Sequence, residues 1–179
     1  MEIEYQVNID DCFALNSHLT KTSPLMIQEI RKGQISMAIS PLAGVAIVII
    51  CYEMSLLSAL VLMGITGAIF SAPMFFLYPL IFKRAQNKMT IKLCASEKSQ
   101  GILGLHKMRI LSNGLEYSTD YTDSRITWNS INRIETADDH TFIFTDEIKA
   151  HIIPRNAVVT GDYTQFINSL TNLYQKNAG

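Results

Sequence analysis

Residues 33–82 read GQISMAISPLAGVAIVIICY, then Glu53, then MSLLSALVLMGITGAIFSAPMFFLYPLIF. Glu53 is the only charged side chain in the stretch. An apolar run of 18 or more residues with almost no charge reads as a transmembrane helix, and residues 33–52 rise about 30 Å as a helix, one hydrocarbon thickness. Residues 54–82 are longer than that core. Their spanning part is expected at about 56–78, ending near Pro73 and Pro79 with a kink or an interfacial turn. The first span is expected at about 35–52, with a tight loop at 53–55. Over the whole chain of 179 residues, 48% are hydrophobic and 17% charged, with a net charge of −1. A soluble domain carries about 25% charged residues. The shortfall belongs to the apolar stretch, which excludes a uniformly soluble globule, a disordered chain and a strongly basic nucleic-acid binder.

Glu53 fits the loop of a helical hairpin. At the bilayer centre a carboxylate costs about 2.5 kcal/mol or more. A proton-relay role would need a partner, and neither span offers a Lys, Arg, His or second acid. Lys21, Arg31 and Lys32 precede the spans, and Lys83, Arg84, Lys88, Lys92 and Lys98 follow them. The loop has no basic residue, so the positive-inside rule places both termini in the cytoplasm. Arg31, Lys32, Lys83, Arg84 and Lys88 form the basic flank at the membrane interface, which also suits anionic headgroups. Small residues recur one turn apart: Ser40 with Gly44, Gly64 with Ala68, Gly67 with Ser71. That spacing lets helices approach closely, either within the hairpin or in a homodimer through Gly64, Gly67, Ala68 and Ser71.

The first residues carry Glu2, Glu4, Asp10 and Asp11 rather than a basic leader, position 2 is not glycine, and no lipidation box is seen. Attachment is therefore expected to come from the apolar block.

Residues 83–179 read as a β domain closed by a helix. Alternation in Met89-Thr90-Ile91-Lys92-Leu93 and in Lys107 to Leu111 predicts strands. Ser112-Asn113-Gly114 predicts a hairpin turn, with Glu116 to Tyr121 as the return strand. Strands follow at Arg125 to Trp128, Ile131 to Thr136, Thr141 to Phe144 and Ala150 to Ile153, with turns at Asp138-Asp139 and Asp146-Glu147. Pro154 should end the last strand. From Asp162 the period changes: Tyr163, Phe166, Ile167, Leu170 and Tyr174 share one helical face, capped by Thr160 or Asp162. Residues 1–32 form an arm, in which Ile3, Tyr5 and Val7 alternate as a strand and Asp10-Asp11 start a helix with Phe13, Leu15 and Leu19 as apolar positions. With both ends on one side of the membrane, that strand is free to join the C-terminal sheet.

Chemistry is sparse. Cys12, Cys51 and Cys94 are isolated, and His18, His106, His140 and His151 are scattered without ligand spacing. Gly101-Ile102-Leu103-Gly104 is not a phosphate loop, and no Gly-x-Ser-x-Gly elbow occurs. Asp138-Asp139-His140 is the densest titratable cluster, at a turn where Asp is favoured for local hydrogen bonding. Trp128, the only tryptophan, is either core or an interaction anchor. No catalytic, cofactor or metal residue is assigned.

The strand and acidic helix start at Tyr5 to Phe13 precede the hairpin. After it come Asn113-Gly114-Leu115, Ile126-Thr127-Trp128-Asn129-Ser130-Ile131, Ile134-Glu135, Phe142-Ile143-Phe144 and Ile152-Ile153-Pro154-Arg155. This order resembles the YcxB-like bacterial membrane proteins, most specifically from Asn113 to Phe166. The resemblance implies a pleckstrin-homology-like C-terminal domain and brings no catalytic residues. The expected fold class is an α+β membrane protein: cytoplasmic arm 1–32, transmembrane hairpin 33–82, cytoplasmic β domain 83–179. The expected function is a non-enzymatic anchor in the bacterial inner membrane that binds a protein partner. An immunity protein against a bacterial toxin and a small transport component are the alternatives.

Overall fold

The computed structural model describes residues 1–52, 55–94 and 101–177. Glu53 of the expected loop, and Lys98 of the basic run, lie outside the described residues. Two compact units result, residues 1–19 with 87–179 and residues 20–86.

The first unit begins with strand β1 (Glu2–Val7) and helix α1 (Ile9–Thr22). Asp10 and Asp11 sit in the first turn of α1, where carboxylates favour the positive helix end, and Asn8 N–H donates to Asp11 Oδ2 at 2.7 Å. After residue 103 come β2 (Gly104–Leu111), β3 (Gly114–Thr119), β4 (Asp123–Thr127), β5 (Arg133–Ala137), β6 (His140–Phe144), β7 (Ala150–Pro154) and β8 (Val158–Thr160). Helix α5 (Tyr163–Asn177) closes the chain. Asp162 caps it, with Oδ1 accepting from Gln165 N–H at 2.8 Å.

Strand β1 does join the C-terminal strands. The antiparallel sheets run β4-β3-β2-β1-β8 and β5-β6-β7. Six residues of β1 pair in register with β2, from Glu2 opposite Arg109 to Val7 opposite Gly104. Both faces hold that register. Inward, Ile3, Tyr5 and Val7 are buried with Met108, Leu115, Trp128, Ile143, Ile153, Phe166 and Leu170. Outward, Glu2 and Glu4 meet Arg109 and Lys107 directly across the ladder, and Glu116 continues the charge row to Arg109 and Arg125. Each exposed pair is worth little alone, yet a slip of one residue would turn the whole charged row inward. Gly114 carries φ +151, and a Cβ there would stand 2.0 Å from the Ile126 carbonyl oxygen, so the β2–β3 turn requires glycine.

The second unit holds helix α2 (Pro24–Cys51), helix α3 (Leu56–Thr66), a wide π turn (Gly67–Ser71) and the first part of helix α4 (Ala72–Cys94). One expectation is corrected here. Near Pro73 and Pro79, where the spanning part is expected to end, the helix does not break; it runs on to Cys94. Pro79 has no N–H to give the Phe75 carbonyl one turn earlier, and the Gln34 side-chain amide of α2 donates to that carbonyl instead, at 3.2 Å. Nor is Met89–Leu93 a strand. It is the last turns of α4, because Gln86, Thr90 and Cys94 recur at helical spacing and Asn16 Nδ2 of α1 donates to Thr90 Oγ1 at 2.8 Å. The alternating Met89, Ile91 and Leu93 stay exposed.

Ile3→Ala is expected to destabilise the first unit by about 2–5 kcal/mol in denaturant unfolding, the cost of an empty core site. An unchanged midpoint would mean that β1 does not help to build this core.

Candidate functional site

Both long helical segments are apolar enough to cross a membrane, and almost none of their most apolar windows is buried. Ile47, Ile50, Leu56, Leu57, Ile69 and Phe76 all face outward. Arg31 and Lys32 lie in the first third of α2, and Lys83, Arg84 and Lys88 in the second half of α4, all exposed. Lys32 pairs with Glu29 at 2.9 Å.

Near this basic flank the helices are fastened together. A Cβ on Gly33 would overlap the Tyr78 ring at 2.0 Å, so glycine admits the ring, and next to it Gln34 bonds the carbonyl freed by Pro79. The small residues divide into two faces. Ser71 is buried and Gly67 lies toward Leu42 of α2, which is packing within the hairpin. Gly64 and Ala68 remain exposed.

Helix α1 covers the outer face of the smaller sheet. Phe142 and Phe144 of β6 point away from the core, and the Phe142 ring is stacked by His18 at 5.0 Å and by His140 at 5.8 Å. His18 contacts Glu135, and His140 Nε2 meets Asp11 Oδ1 at 2.8 Å, so each histidine against the ring has a carboxylate partner. Arg133 lies over Phe144 and donates to Glu135 at 2.7 Å. Burial acts to raise the Glu135 value, but the hydrogen bonds with His18 and Arg133 outweigh it and hold the carboxyl below the usual range. The Asp138-Asp139-His140 cluster is thus structural: Asp138 takes the turn with φ 51, and His140 belongs to the α1 seam.

Trp128 is 5% exposed and part of the core, and its indole N–H donates to the Ser112 carbonyl at 3.1 Å, which fixes the β2–β3 turn. It forms the floor of a polar depression with Asn129, Ser130, Asn132, Thr145 and Tyr174.

One constellation escaped the sequence reading. His106, Tyr117 and His151 come from β2, β3 and β7, yet they line one cavity together with Cys12 of α1. Tyr117 Oη and His106 Nδ1 are 2.9 Å apart, and the Tyr117 and His151 ring centroids 4.4 Å apart at 61°. Burial lowers His151 to about 4, and the nearby His106 adds to the fall. Burial also lowers His106, opposed by the Ile102 backbone and Asp120, and lifts Tyr117 to about 12. Cys12 rises to about 12, through burial and then through the adjoining Cys94 thiol, so two of the cysteines read as isolated lie side by side. Strand alternation carries the missed signal, since His106, Tyr117 and His151 stand two residues from the core positions Met108, Leu115 and Ile153. Among the described residues, no three His, Cys, Asp or Glu side chains are grouped to hold a metal ion.

The order of strands, the buried Trp128 and the closing helix now stand beside a comparison with known families. Residues 110–170 match the YcxB-like protein family. The YcxB-like stretch runs from the end of β2 through β8 into α5, and it contains the buried tryptophan and the Ile-Pro-Arg step at 153–155. No curated protein and no solved structure matches the chain.

Replacing Gln34 with Leu is expected to leave the Phe75 carbonyl unpaired, at a cost of about 1–3 kcal/mol. Melting of the detergent-solubilised chain reads this out, and Gln34→Glu melting like Gln34→Leu would support an amide donor. A second expectation concerns pH. Unfolded, His151 titrates near 6.5, while folded it stays neutral down to about 4. Between those values the unfolded chain takes up a proton that the folded chain refuses, so stability falls as the pH falls through that window. His151→Phe should flatten the thermal-midpoint profile between pH 6.5 and 4; an unchanged slope would place the lost stability on other groups.

Proposed function

We propose that this chain is a non-enzymatic, membrane-anchored module. It holds a pleckstrin-homology-like β domain at the cytoplasmic face of a bacterial inner membrane, where the domain binds a protein partner. The observation that carries the reading is the β1–β2 ladder. These strands flank the apolar helices in sequence and pair with each other in space, so the chain must leave a bilayer on the side from which it entered. An outward apolar surface of this extent has no place in water. Arg31, Lys32, Lys83, Arg84 and Lys88 lie toward the chain segments that lead into that ladder, and excess Lys and Arg marks the cytoplasmic side. Two antiparallel sheets closed by a C-terminal helix support the pleckstrin-homology-like assignment. The polar depression beside Trp128 is the surface offered to the partner.

The native cysteines test the orientation. Cys51 closes α2 at the far end of the hairpin, while Cys12 and Cys94 belong to the first unit. A membrane-impermeant maleimide applied to intact spheroplasts should label Cys51, and Cys51→Ser should abolish the labelling. Label on Cys12 or Cys94 from that side would reverse the topology. Affinity capture of the full chain in mild detergent should recover a protein that Asn129→Arg releases. A capture unchanged by that variant would move the contact away from the depression.

A further inference from the structure

A groove between α2 and α4 opens beside the basic flank, with a volume of about 620 Å³, inside the roughly 300–1,000 Å³ of ligand clefts. Its α2 wall carries Ile27, Arg31, Gln34 and Ile35, whose three- and four-residue steps put them on one helical face. Phe75 and Pro79, one turn apart on α4, form the other wall. The Gln34 amide that donates to the Phe75 carbonyl at 3.2 Å joins the two walls and fixes their spacing. All of the lining belongs to the second unit. Ile27, Ile35 and Phe75 are 45%, 47% and 37% exposed, so the described chain leaves the groove uncovered.

The lining selects an amphiphile with a negative head. Among the described residues, Arg31 is the one charged side chain that borders the groove; it is exposed, and no ion pair uses it. Lys21, Lys32, Lys83 and Arg84 are the other basic residues of this unit. Its acids are Glu29, which Lys32 pairs at 2.9 Å, and Glu53, which follows the last residue of α2. An anion at Arg31 therefore meets a cation that no carboxylate compensates, and a guanidinium forks onto phosphate oxygens. Ile35 and Phe75 lie on the side of Arg31 that leads into the apolar stretch. An acyl chain there needs no hydrogen bonds, whereas a peptide would bring backbone amides that these walls cannot pair.

We propose that this groove holds an anionic phospholipid of the membrane, with its phosphate on the Arg31 guanidinium and one acyl chain along Ile35 and Phe75. The site rests on the membrane anchoring proposed above and lies apart from the depression beside Trp128.

The test is native mass spectrometry of the full chain in an uncharged detergent, with phosphatidylglycerol and phosphatidylcholine of the same acyl chains as probes. Phosphatidylglycerol should bind at one preferred site per chain and survive activation that strips phosphatidylcholine. Arg31→Gln should weaken phosphatidylglycerol about tenfold, the loss of a hydrogen bond to a charged group. Ile35→Trp, which crowds the apolar end, should weaken it as well. Both replaced residues are exposed, and circular dichroism checks that each variant keeps its helices. Arg84→Gln, on the same flank outside the groove, should leave binding nearly unchanged. Equal losses from Arg31→Gln and Arg84→Gln would reduce the effect to general attraction between charges and overturn the proposal. So would equal retention of phosphatidylcholine, or displacement by glycerol phosphate, which carries the anion without the chains. Release of the chain from membranes by alkaline carbonate would overturn the anchoring and this site with it. A chain that resists release and shows no lipid preference loses the site alone.

Discussion

The pairing of β1 with β2 is the constraint on which the rest depends. These strands are neighbours in the sheet although the apolar helices separate them along the chain. Closing so long a loop costs only logarithmically more entropy than closing a short one, and a helical hairpin, which returns near its start, lowers the cost further. The ladder in turn needs both of its faces. The inner one excludes water through Ile3, Tyr5 and Val7, and the outer one fixes register through Glu2, Glu4, Lys107 and Arg109.

Within each unit, polar contacts hold places where apolar packing alone would leave a slip undetermined. Gln34 answers the carbonyl that Pro79 abandons, Asn16 joins Thr90, and two histidine–carboxylate pairs frame Phe142. All join parts of the chain far apart in sequence. Because β6 is buried on both faces, its Phe142 and Phe144 need a second cover, and α1 supplies it.

Much of the β domain was legible because period-2 and period-3.6 patterns are local. The Ser112-Asn113-Gly114 turn, the strand ending at Pro154 and the Phe166–Leu170 face of α5 follow from them. Met89–Leu93 was misread for the same reason: its apolar alternation is real but exposed, and the deciding face is the polar series Gln86, Thr90 and Cys94. The short β8 was missed because three residues carry too little pattern. The His106–Tyr117–His151 cavity was invisible as a cluster, since each residue occupies an ordinary inward position and only strand order brings the three together.

The sequence by itself determined two apolar helices, their basic flank and a strand-rich domain ending in a helix, because charge depletion and side-chain periodicity act through neighbours along the chain. Only the tertiary structure decided that β1 completes the C-terminal sheet, that α4 outlasts its prolines, and that neutral histidines, a tyrosine and a cysteine surround one cavity. Those outcomes rest on hydrogen bonds and burial between residues far apart in sequence, whose free energy exists only once the chain has closed upon itself.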